Sequence, residues 1–380
     1  MVHLINILKQ RFNNLRSTAS AVVKTFVTSN HNKELYAFLS KADNDISKIE
    51  EYGWTPMHRA IDISNSEIIK LLIFKANNAN LNFTNLRGAT PLTFAISAGN
   101  LDIIELLVNS GADMNFGDKL GWIPFTRAID IENIDIVRFL CEKGADLNMK
   151  DPKGWTPIEK AIKKDNLEII RLLIDKGLDV NLINGSGYTA LTKAIDCDKL
   201  DFVRLFIENG ADLNMTDPKG WTPVLFAIYK DKLNILQLLI EKGADINFVD
   251  TLHWTPLIKA IKANKIEAVK VLIANGANLD MFPSTFSSPL SAAVYKDYFD
   301  IVKLLVENGA SINLNDGTGV SPFHSAVLHK DMEILTYFLE NGANLSSRTK
   351  NNRNDAIELA LKKNQITIMK MLLNHSFHWQ

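Results

Sequence analysis

The sequence predicts an all-α repeat solenoid, an array of stacked helix-turn-helix units joined by short β-hairpin-like turns. Two ladders of glycine predict it, because both advance by 33 residues along a chain of 380. Composition agrees: 46% of residues are hydrophobic and 22% charged, and no uncharged apolar run approaches the ~18 residues of a membrane span. The first ladder is Gly88, Gly121, Gly154, Gly187, Gly220 and Gly319, and the second is Gly111, Gly144, Gly177, Gly210, Gly243, Gly276, Gly309 and Gly342.

Residues 151–183 show how each element of one repeat arises. Thr156 offers a hydroxyl as a helix N-cap, and Pro157 takes the first helical position, where no N–H is required. After this short first helix comes a polar turn, and the strongly apolar stretch 167–174 predicts the second helix. Gly177 can adopt the left-handed conformation that ends it. Such a unit cannot bury its apolar face alone, so neighbouring units must stack.

This pattern resembles the ankyrin repeat, whose Thr-Pro-Leu-His-x-Ala signature recurs with the same period. The signature stands here as Thr55–Ala60, Thr90–Leu92, Thr222–Val224, Thr255–Leu257 and Ser321–Ala326. A second segment, Gly-Ala-Asp/Asn-x-Asn, recurs from Gly111 onward. The resemblance covers about residues 49–374 and implies nine full repeats.

We therefore predict four parts of the chain. Residues 1–28 form a basic amphipathic helix, 29–48 a capping half-repeat, 49–348 the nine ankyrin repeats, and 349–380 a degenerate C-terminal capping repeat and tail. Phe286 stands where the turn glycine belongs, and a bulky residue resists positive φ, so we expect that hairpin to be rebuilt.

Nothing in the sequence predicts catalysis, and we expect no catalytic residues, no cofactor and no metal. Glycines such as those of 185–187 lie in repeat turns and lack the Lys-Ser/Thr of a phosphate loop. His324 and His329 have no further ligand at metal-binding spacing. The only cysteines, Cys141 and Cys197, form no disulfide framework and suit a reducing compartment. A net charge of −1 argues against a general nucleic-acid binder.

The clearest functional signal is aromatic. The position after the turn glycine holds five of the six tryptophans, at Trp54, Trp122, Trp155, Trp221 and Trp254, and a tyrosine at Tyr188. The ankyrin resemblance implies that this position lies at the hairpin, on the concave side where partners dock. The rings either cover the neighbouring hairpin and set the register of the stack, or anchor an interface, as Trp and Tyr often do.

We predict a partner-binding surface on the concave face of repeats 3–7. Its lysines cluster in repeats 4, 6 and 7, which indicates an acidic partner surface, although a charge run is often only a solvated face. The predicted residues are Trp122, Trp155, Tyr188, Trp221, Trp254, Lys153, Lys163, Lys164, Lys219, Tyr229, Lys230 and Lys262.

The N-terminal segment differs in charge from the rest of the chain. Residues 1–33 carry five basic side chains and no acidic one, so the remainder carries −6 within a total of −1. Apolar residues of the segment recur at steps of four and three, which predicts one stripe along a helix. It either caps the first repeat, pairs with another helix, or lies on an anionic membrane, and it also resembles an organelle transit peptide.

These observations predict a non-enzymatic protein-protein interaction scaffold, preorganised by its stack. We expect a protein partner, no nucleic acid, no obligate oligomer, and an intracellular, cytoplasmic location. An alternative function is a membrane-peripheral adaptor anchored by residues 1–28. Usage rich in Ile, Asn and Lys suggests an A+T-rich genome, and long arrays of this style resemble those that intracellular bacteria deliver into a host cell; a eukaryotic origin is the alternative.

Overall fold

The computed structural model describes residues 53–76, 81–281, 287–316, 319–350 and 353–377. The predicted helix of residues 1–28, the half-repeat of 29–48 and the hairpin around Phe286 lie outside these ranges. The chain divides into two compact units, unit 1 ending at Asp179 and unit 2 beginning at Val180. Both consist of paired helices, and the described residues contain no β-strand, so the hairpin-like connections are turns.

In each pair a short first helix precedes a longer second helix. Unit 1 contains α1 Pro56–Asp62, α2 Ser66–Ala76, α3 Pro91–Ala98, α4 Leu101–Asn109, α5 Pro124–Asp130, α6 Ile134–Glu142, α7 Pro157–Lys163 and α8 Leu167–Asp175. Unit 2 contains α9 Ala190–Asp196, α10 Leu200–Glu208, α11 Pro223–Tyr229, α12 Leu233–Glu241, α13 Pro256–Lys262, α14 Ile266–Ala274, α15 Pro289–Tyr295, α16 Phe299–Glu307, α17 Pro322–His329, α18 Met332–Glu340, α19 Ala356–Lys362 and α20 Ile366–Phe377.

The repeat containing α7 and α8 confirms the local predictions. Pro157 is the first residue of α7, and the preceding Thr156 caps it in an extended conformation. The Glu159 carboxylate accepts from the Thr156 backbone N–H at 2.9 Å, completing a capping box. The side chain of Asn166 caps α8, and Gly177 follows that helix with φ +88°. Each helix boundary is therefore set by residues within the same repeat.

Alanine and branched aliphatic side chains form the core of each unit. In α7, Ala161 and Ile162 are fully buried, as are Ile169, Ile170 and Leu173 in α8. Within a unit, each first helix packs on the first helices of neighbouring repeats and on its own second helix. Burying one such aliphatic side chain stabilises the fold by about 1.5 to 3 kcal/mol. Much of that burial comes from the neighbouring repeat, so repeats stabilise one another.

Asparagines of the Gly-Ala-Asp/Asn-x-Asn segment tie successive turns together, a role that the sequence did not reveal. In unit 1 the Asn115 side-chain oxygen accepts from the Asp146 backbone N–H at 3.1 Å. In unit 2 Asn214 accepts in the same way from Asp245 at 2.9 Å. Because each bond joins equivalent positions of adjacent repeats, it fixes their register.

The signature histidine also links neighbouring repeats. His58 is fully buried, with Nδ1 2.7 Å from Thr55 Oγ1 and Nε2 3.0 Å from the Ala89 carbonyl oxygen. A carbonyl oxygen only accepts, so Nε2 donates to it and Nδ1 accepts from the Thr55 hydroxyl. Burial lowers the pKa of His58 from 6.5 to about 4, against the opposing effect of its backbone hydrogen bonds. The imidazole is therefore neutral at pH 7.

This burial predicts a loss of stability in mild acid. Between pH 6.5 and about 4 the unfolded chain binds a proton at His58 that the folded chain does not, so stability falls as pH decreases through that window. At pH 5 the loss is about 2 kcal/mol relative to pH 7. Urea unfolding of the wild type and of His58→Gln at both pH values measures it. The account expects a smaller drop in the variant, and equal drops would contradict it.

Candidate partner-binding face

The turn before each first helix positions one aromatic side chain. In unit 1 the Asp151 Oδ1 atom accepts from the backbone N–H groups of Lys153 and Trp155, both at 2.9 Å. In four other repeats the backbone N–H of the aromatic residue likewise donates to the Oδ1 atom of the Asp or Asn four residues earlier, at 2.8 to 2.9 Å. The pairs are Trp122 and Asp118, Tyr188 and Asn184, Trp221 and Asp217, and Trp254 and Asp250. We call the five residues Trp122, Trp155, Tyr188, Trp221 and Trp254 the ladder aromatics. All five are half-buried, held at the backbone by the turn.

Cations lie over the two ladder aromatics of unit 1. The Lys160 ammonium is 4.7 Å from the centre of the Trp122 ring, and the Arg127 guanidinium is 5.0 Å from it. Lys163 lies 5.1 Å from the centre of the Trp155 ring. The negative face of an indole attracts a cation at this distance. These contacts hold the indoles in defined orientations.

Lys160 also neutralises two carboxylates. Its ammonium is 3.2 Å from Asp130 and 3.5 Å from Asp151, the residue that shapes the turn. The side chains of Lys160 and Asp151 are only 11% and 4% exposed. This lysine therefore joins the ring of one repeat to the turn of the next within unit 1.

A groove of about 460 Å³ lies among these residues, and we call it the unit 1 groove. Five predicted site residues line it, namely Trp122, Trp155, Lys153, Lys163 and Lys164. The structure thus brings together the unit 1 members of the predicted surface. Lys164 is partly neutralised, because its ammonium lies 3.3 Å from Glu132.

Rings pack against rings in unit 2. Phe226 lies edge-on to Tyr188 with ring centres 5.6 Å apart, and it also contacts Trp221. Tyr229 lies 5.0 Å from Trp221 in the same edge-on manner, yet 59% of its surface is exposed. Phe226 therefore fixes its neighbours, whereas Tyr229 offers most of its surface to solvent.

Two lysines cover Trp254. The Lys262 ammonium is 3.7 Å from the centre of the Trp254 ring, and the Lys259 ammonium is 4.5 Å from it. Lys259 also lies 4.5 Å from the Trp221 ring, so it bridges two ladder aromatics. Burial lowers the pKa of Lys259, against the opposing charge of Asp250. One predicted lysine, Lys262, thus contacts a predicted tryptophan directly.

The predicted lysine Lys230 has a partner within unit 2. Its ammonium is 2.6 Å from Asp196, which also accepts from Lys193 at 3.0 Å. Burial opposes ionisation of Asp196, but the hydrogen bonds from Lys230 and Lys193 outweigh it and lower the pKa of the carboxyl. Lys230 is therefore less available to a ligand than its sequence position suggested. The remaining predicted lysine, Lys219, is exposed in its turn.

Sequence reasoning named two of the cations that cover the ladder aromatics, Lys163 and Lys262, but missed four others. Lys160, Lys193 and Lys259 each stand five residues after a ladder aromatic, so they occupy the same position in their respective repeats. Arg127 occupies the same position after Trp122. The sequence did contain a signal for these cations, because a basic residue recurs at the x position of the Thr-Pro-Leu-His-x-Ala signature. Only the structure shows which ring each basic residue covers.

The two cysteines give no sign of reactivity. Cys141 is half-buried, and burial raises the pKa of its thiol to about 11, so the thiol is protonated at neutral pH. Cys197 is also half-buried, at the end of α9. Across the described ranges, no group of three or more His, Cys, Asp or Glu residues is arranged to hold a metal ion.

None of the helices in the described ranges is both long and apolar enough to cross a membrane.

Capped helix pairs, repeated every 33 residues and tied through their turns, define a helix-pair repeat protein. A family model described as ankyrin repeats matches residues 63–151, 133–217, 198–283, 224–316 and 290–379. The chain belongs to the ankyrin-repeat family. Arrays of this family present extended binding surfaces, which indicates a protein-interaction scaffold, and the fold is typically non-enzymatic.

Comparisons with individual proteins agree on the repeats. The crystal structure of the ankyrin repeat domain of Bcl-3 matches with a TM-score of 0.53 and 25% identity, covering 58% of this chain and 98% of that domain. An ankyrin repeat protein of Rickettsia bellii (strain RML369-C) is 36% identical over 63 residues, which are 17% of this chain and 37% of that protein. The human SMC5-SMC6 complex localization factor protein 1 is 27% identical over 103 residues, 27% of this chain. The chain thus spans only about 10% of the human relative's length.

Proposed function

We propose that this protein is a protein-protein interaction scaffold that binds its partner through the ladder aromatics and their neighbouring lysines. The observation that carries the proposal is the state of these rings. They are fixed by turns and cations, yet each keeps part of its surface accessible to solvent, and three of them, Trp122, Trp155 and Trp254, line a groove. Preorganised aromatic side chains lose little conformational entropy on binding, which is why they anchor interfaces.

A purely structural role explains part of this geometry. Cations over ring faces and the edge-on contacts of Phe226 stabilise the stack, whatever the rings bind. It does not explain Tyr229 and Tyr295, which are 59% and 64% exposed, because an exposed ring contributes little to folding. Exposed aromatic side chains beside fixed indoles favour recognition in addition to stacking.

The scaffold is proposed to act as an intracellular protein, built from nine repeats over 49–348 with caps at 29–48 and 349–380. The N-terminal segment of residues 1–28, with its membrane-anchor and targeting hypotheses, stays a prediction, as does delivery into a host cell.

An affinity pull-down read by mass spectrometry tests the proposal. The bait is the wild type or a variant with Trp122, Trp155, Trp221 and Trp254 replaced by alanine. We expect the specific partner to disappear with the tryptophans, because removing one anchoring ring typically weakens an interface about tenfold or more. Circular dichroism must show that the variant retains its helices; if it does not, Trp→Phe replacements, which keep a ring, take its place.

The chain offers a matched control. Phe139 in α6 and Phe299 in α16 are half-buried aromatics on second helices, covered by Lys143 and Lys303 at 5.5 and 4.2 Å. Replacing both with alanine removes the same chemistry from another face, one residue in each unit. The proposal expects the partner to be retained by this control. A partner retained by the folded tryptophan variant would show that the ladder aromatics are not the interface.

A further inference from the structure

A second groove, of about 680 Å³, lies in unit 2, and we call it the unit 2 groove. Its aromatic lining is Tyr229, Trp254 and Tyr295, and its basic lining is Lys259, Lys262, Lys265 and Lys296. Tyr229, Lys262 and Tyr295 occupy the same position of three successive repeats, at the end of α11, α13 and α15. The groove therefore alternates exposed rings with a cation along the repeats.

Among the described residues, two of the four lysines that line this groove are paired with carboxylates, and two are not. Lys265 pairs with Asp231 at 2.9 Å, and the Lys259 ammonium lies 4.0 Å from Asp250. Within the described ranges Lys262 and Lys296 form no ion pair, and their nearest charged neighbours include each other. Burial, then repulsion from Lys296 and Lys259, lowers the pKa of Lys262. Of the groove lysines, Lys262 and Lys296 are thus the two whose positive charge is not balanced by a neighbouring carboxylate in the described part of the chain.

Apolar side chains also line the groove. Ile228, Ile258 and Ala292 are buried, and Ala263 is exposed. The two tyrosines supply large contact surfaces on either side, and their hydroxyls can donate hydrogen bonds. A ligand for this groove needs an apolar group and a negative charge close together.

We propose that the unit 2 groove binds an extended acidic peptide segment of the partner protein, with a carboxylate between Lys262 and Lys296 and an adjacent apolar side chain against Tyr229 or Tyr295. The inference rests on the proposed function and adds the chemistry of the partner. Charge complementarity carries it: two neighbouring ammonium groups, those of Lys262 and Lys296, lie without a described carboxylate partner in a partly desolvated groove, where a carboxylate stabilises them most.

A single-stranded nucleic acid, which also stacks on aromatic rings beside cations, fits the surroundings less well. A chain of phosphates extending beyond the groove would approach the exposed carboxylates of Asp231 and Asp198, which are 55% and 60% exposed. A peptide can place one or two carboxylates on the lysines and an uncharged backbone beside those aspartates. The whole chain, at −1, also lacks the basic excess that phosphate binding uses.

Selection from a phage-displayed library of random twelve-residue peptides tests the inference on the full chain. The baits are the wild type, Lys262→Glu/Lys296→Glu and, as a control, Lys270→Glu on the second helix of the same repeat as Lys262. Lys270 does not line the groove, and its side chain is 50% exposed. We expect Asp and Glu, next to apolar residues, to be enriched for the wild type and the control but not for the double variant.

Fluorescence anisotropy with a selected peptide then measures affinity. We expect charge reversal to weaken binding by about tenfold or more, and the milder Lys262→Gln/Lys296→Gln variant, which removes repulsion within the fold, to weaken it as well. Raising the salt concentration should weaken binding to the wild type. Circular dichroism confirms that each variant is folded.

Three results would overturn the inference. The first is that peptides selected on the wild type show no enrichment of Asp and Glu. The second is that acidic peptides bind the wild type and the double variant with equal affinity. The third is that the wild type binds a twelve-nucleotide single-stranded DNA but no acidic peptide. The proposed function fails separately, when the partner survives loss of the ladder tryptophans. If the partner is lost with the tryptophans but still binds Lys262→Glu/Lys296→Glu, the proposed scaffold function is supported and the inference of an acidic peptide ligand is contradicted.

Discussion

Phe206→Ala is expected to destabilise unit 2 by about 3 to 5 kcal/mol. Phe206 lies in α10, and none of its surface is exposed to solvent. Its ring fills space that neighbouring side chains cannot fill without moving, so alanine leaves a cavity as well as losing the transfer free energy of the ring. Because the repeats stabilise one another, the loss should also weaken the adjacent helix pairs within the unit.

Urea unfolding followed by circular dichroism measures the loss, and hydrogen exchange shows where it falls. We expect faster exchange in α10 and in its neighbours α9 and α12. Tyr295→Ala is the control, since that ring is 64% exposed and its removal should change stability by no more than about 0.5 kcal/mol. A change below about 1 kcal/mol for Phe206→Ala would show that the core of the stack is not closed as described.

Lys160→Ala is expected to cost unit 1 about 3 kcal/mol, a large effect for a charged residue. Removing this ammonium leaves Asp151, whose side chain is only 4% exposed, without its neighbouring cation. It also takes the cation from the face of Trp122 and leaves Asp130 without its 3.2 Å partner. An uncompensated buried carboxylate is more destabilising than the lost attraction alone would suggest.

A double-mutant cycle separates these causes. When Asp151 becomes asparagine, the buried charge disappears, so Lys160→Ala/Asp151→Asn should be less destabilised than the sum of the two single variants. Lys163→Ala is the matched control: it removes a lysine that also covers an indole but is exposed and forms no salt bridge with the described residues. We expect it to change stability by less than about 1 kcal/mol. Additive effects in the cycle would contradict the proposed neutralisation.

Much of the fold follows from the sequence because its determinants are local. Thr156 and Pro157 begin a helix, and Gly177 ends one, through interactions within a few residues. Because the sequence repeats every 33 residues, helix boundaries assigned correctly in one repeat apply to the others as well. His253 shows the limit of this reasoning: it stands at a glycine position and still adopts φ +60°.

The candidate face is less predictable, because its contacts cross from one repeat to another. The positions of Trp122 and Trp254 follow from the period, but the cations over them come from side chains whose rotamers depend on the neighbouring repeat. The sequence predicted both Lys230 and Lys262 as lysines of the binding surface. Asp196 neutralises the first, whereas the second lies over an indole with other lysines for neighbours. Such differences depend on three-dimensional pairing, which periodicity does not encode.

Hydrogen exchange on the complex with the captured partner tests the central claim most directly, because it maps the bound surface on the unmodified protein. The account predicts slower exchange at the turns that carry the ladder aromatics, residues 118–122, 151–155, 184–188, 217–221 and 250–254, and in the first helices that follow them. Protection confined to the second helices, with these turns unchanged, would contradict it.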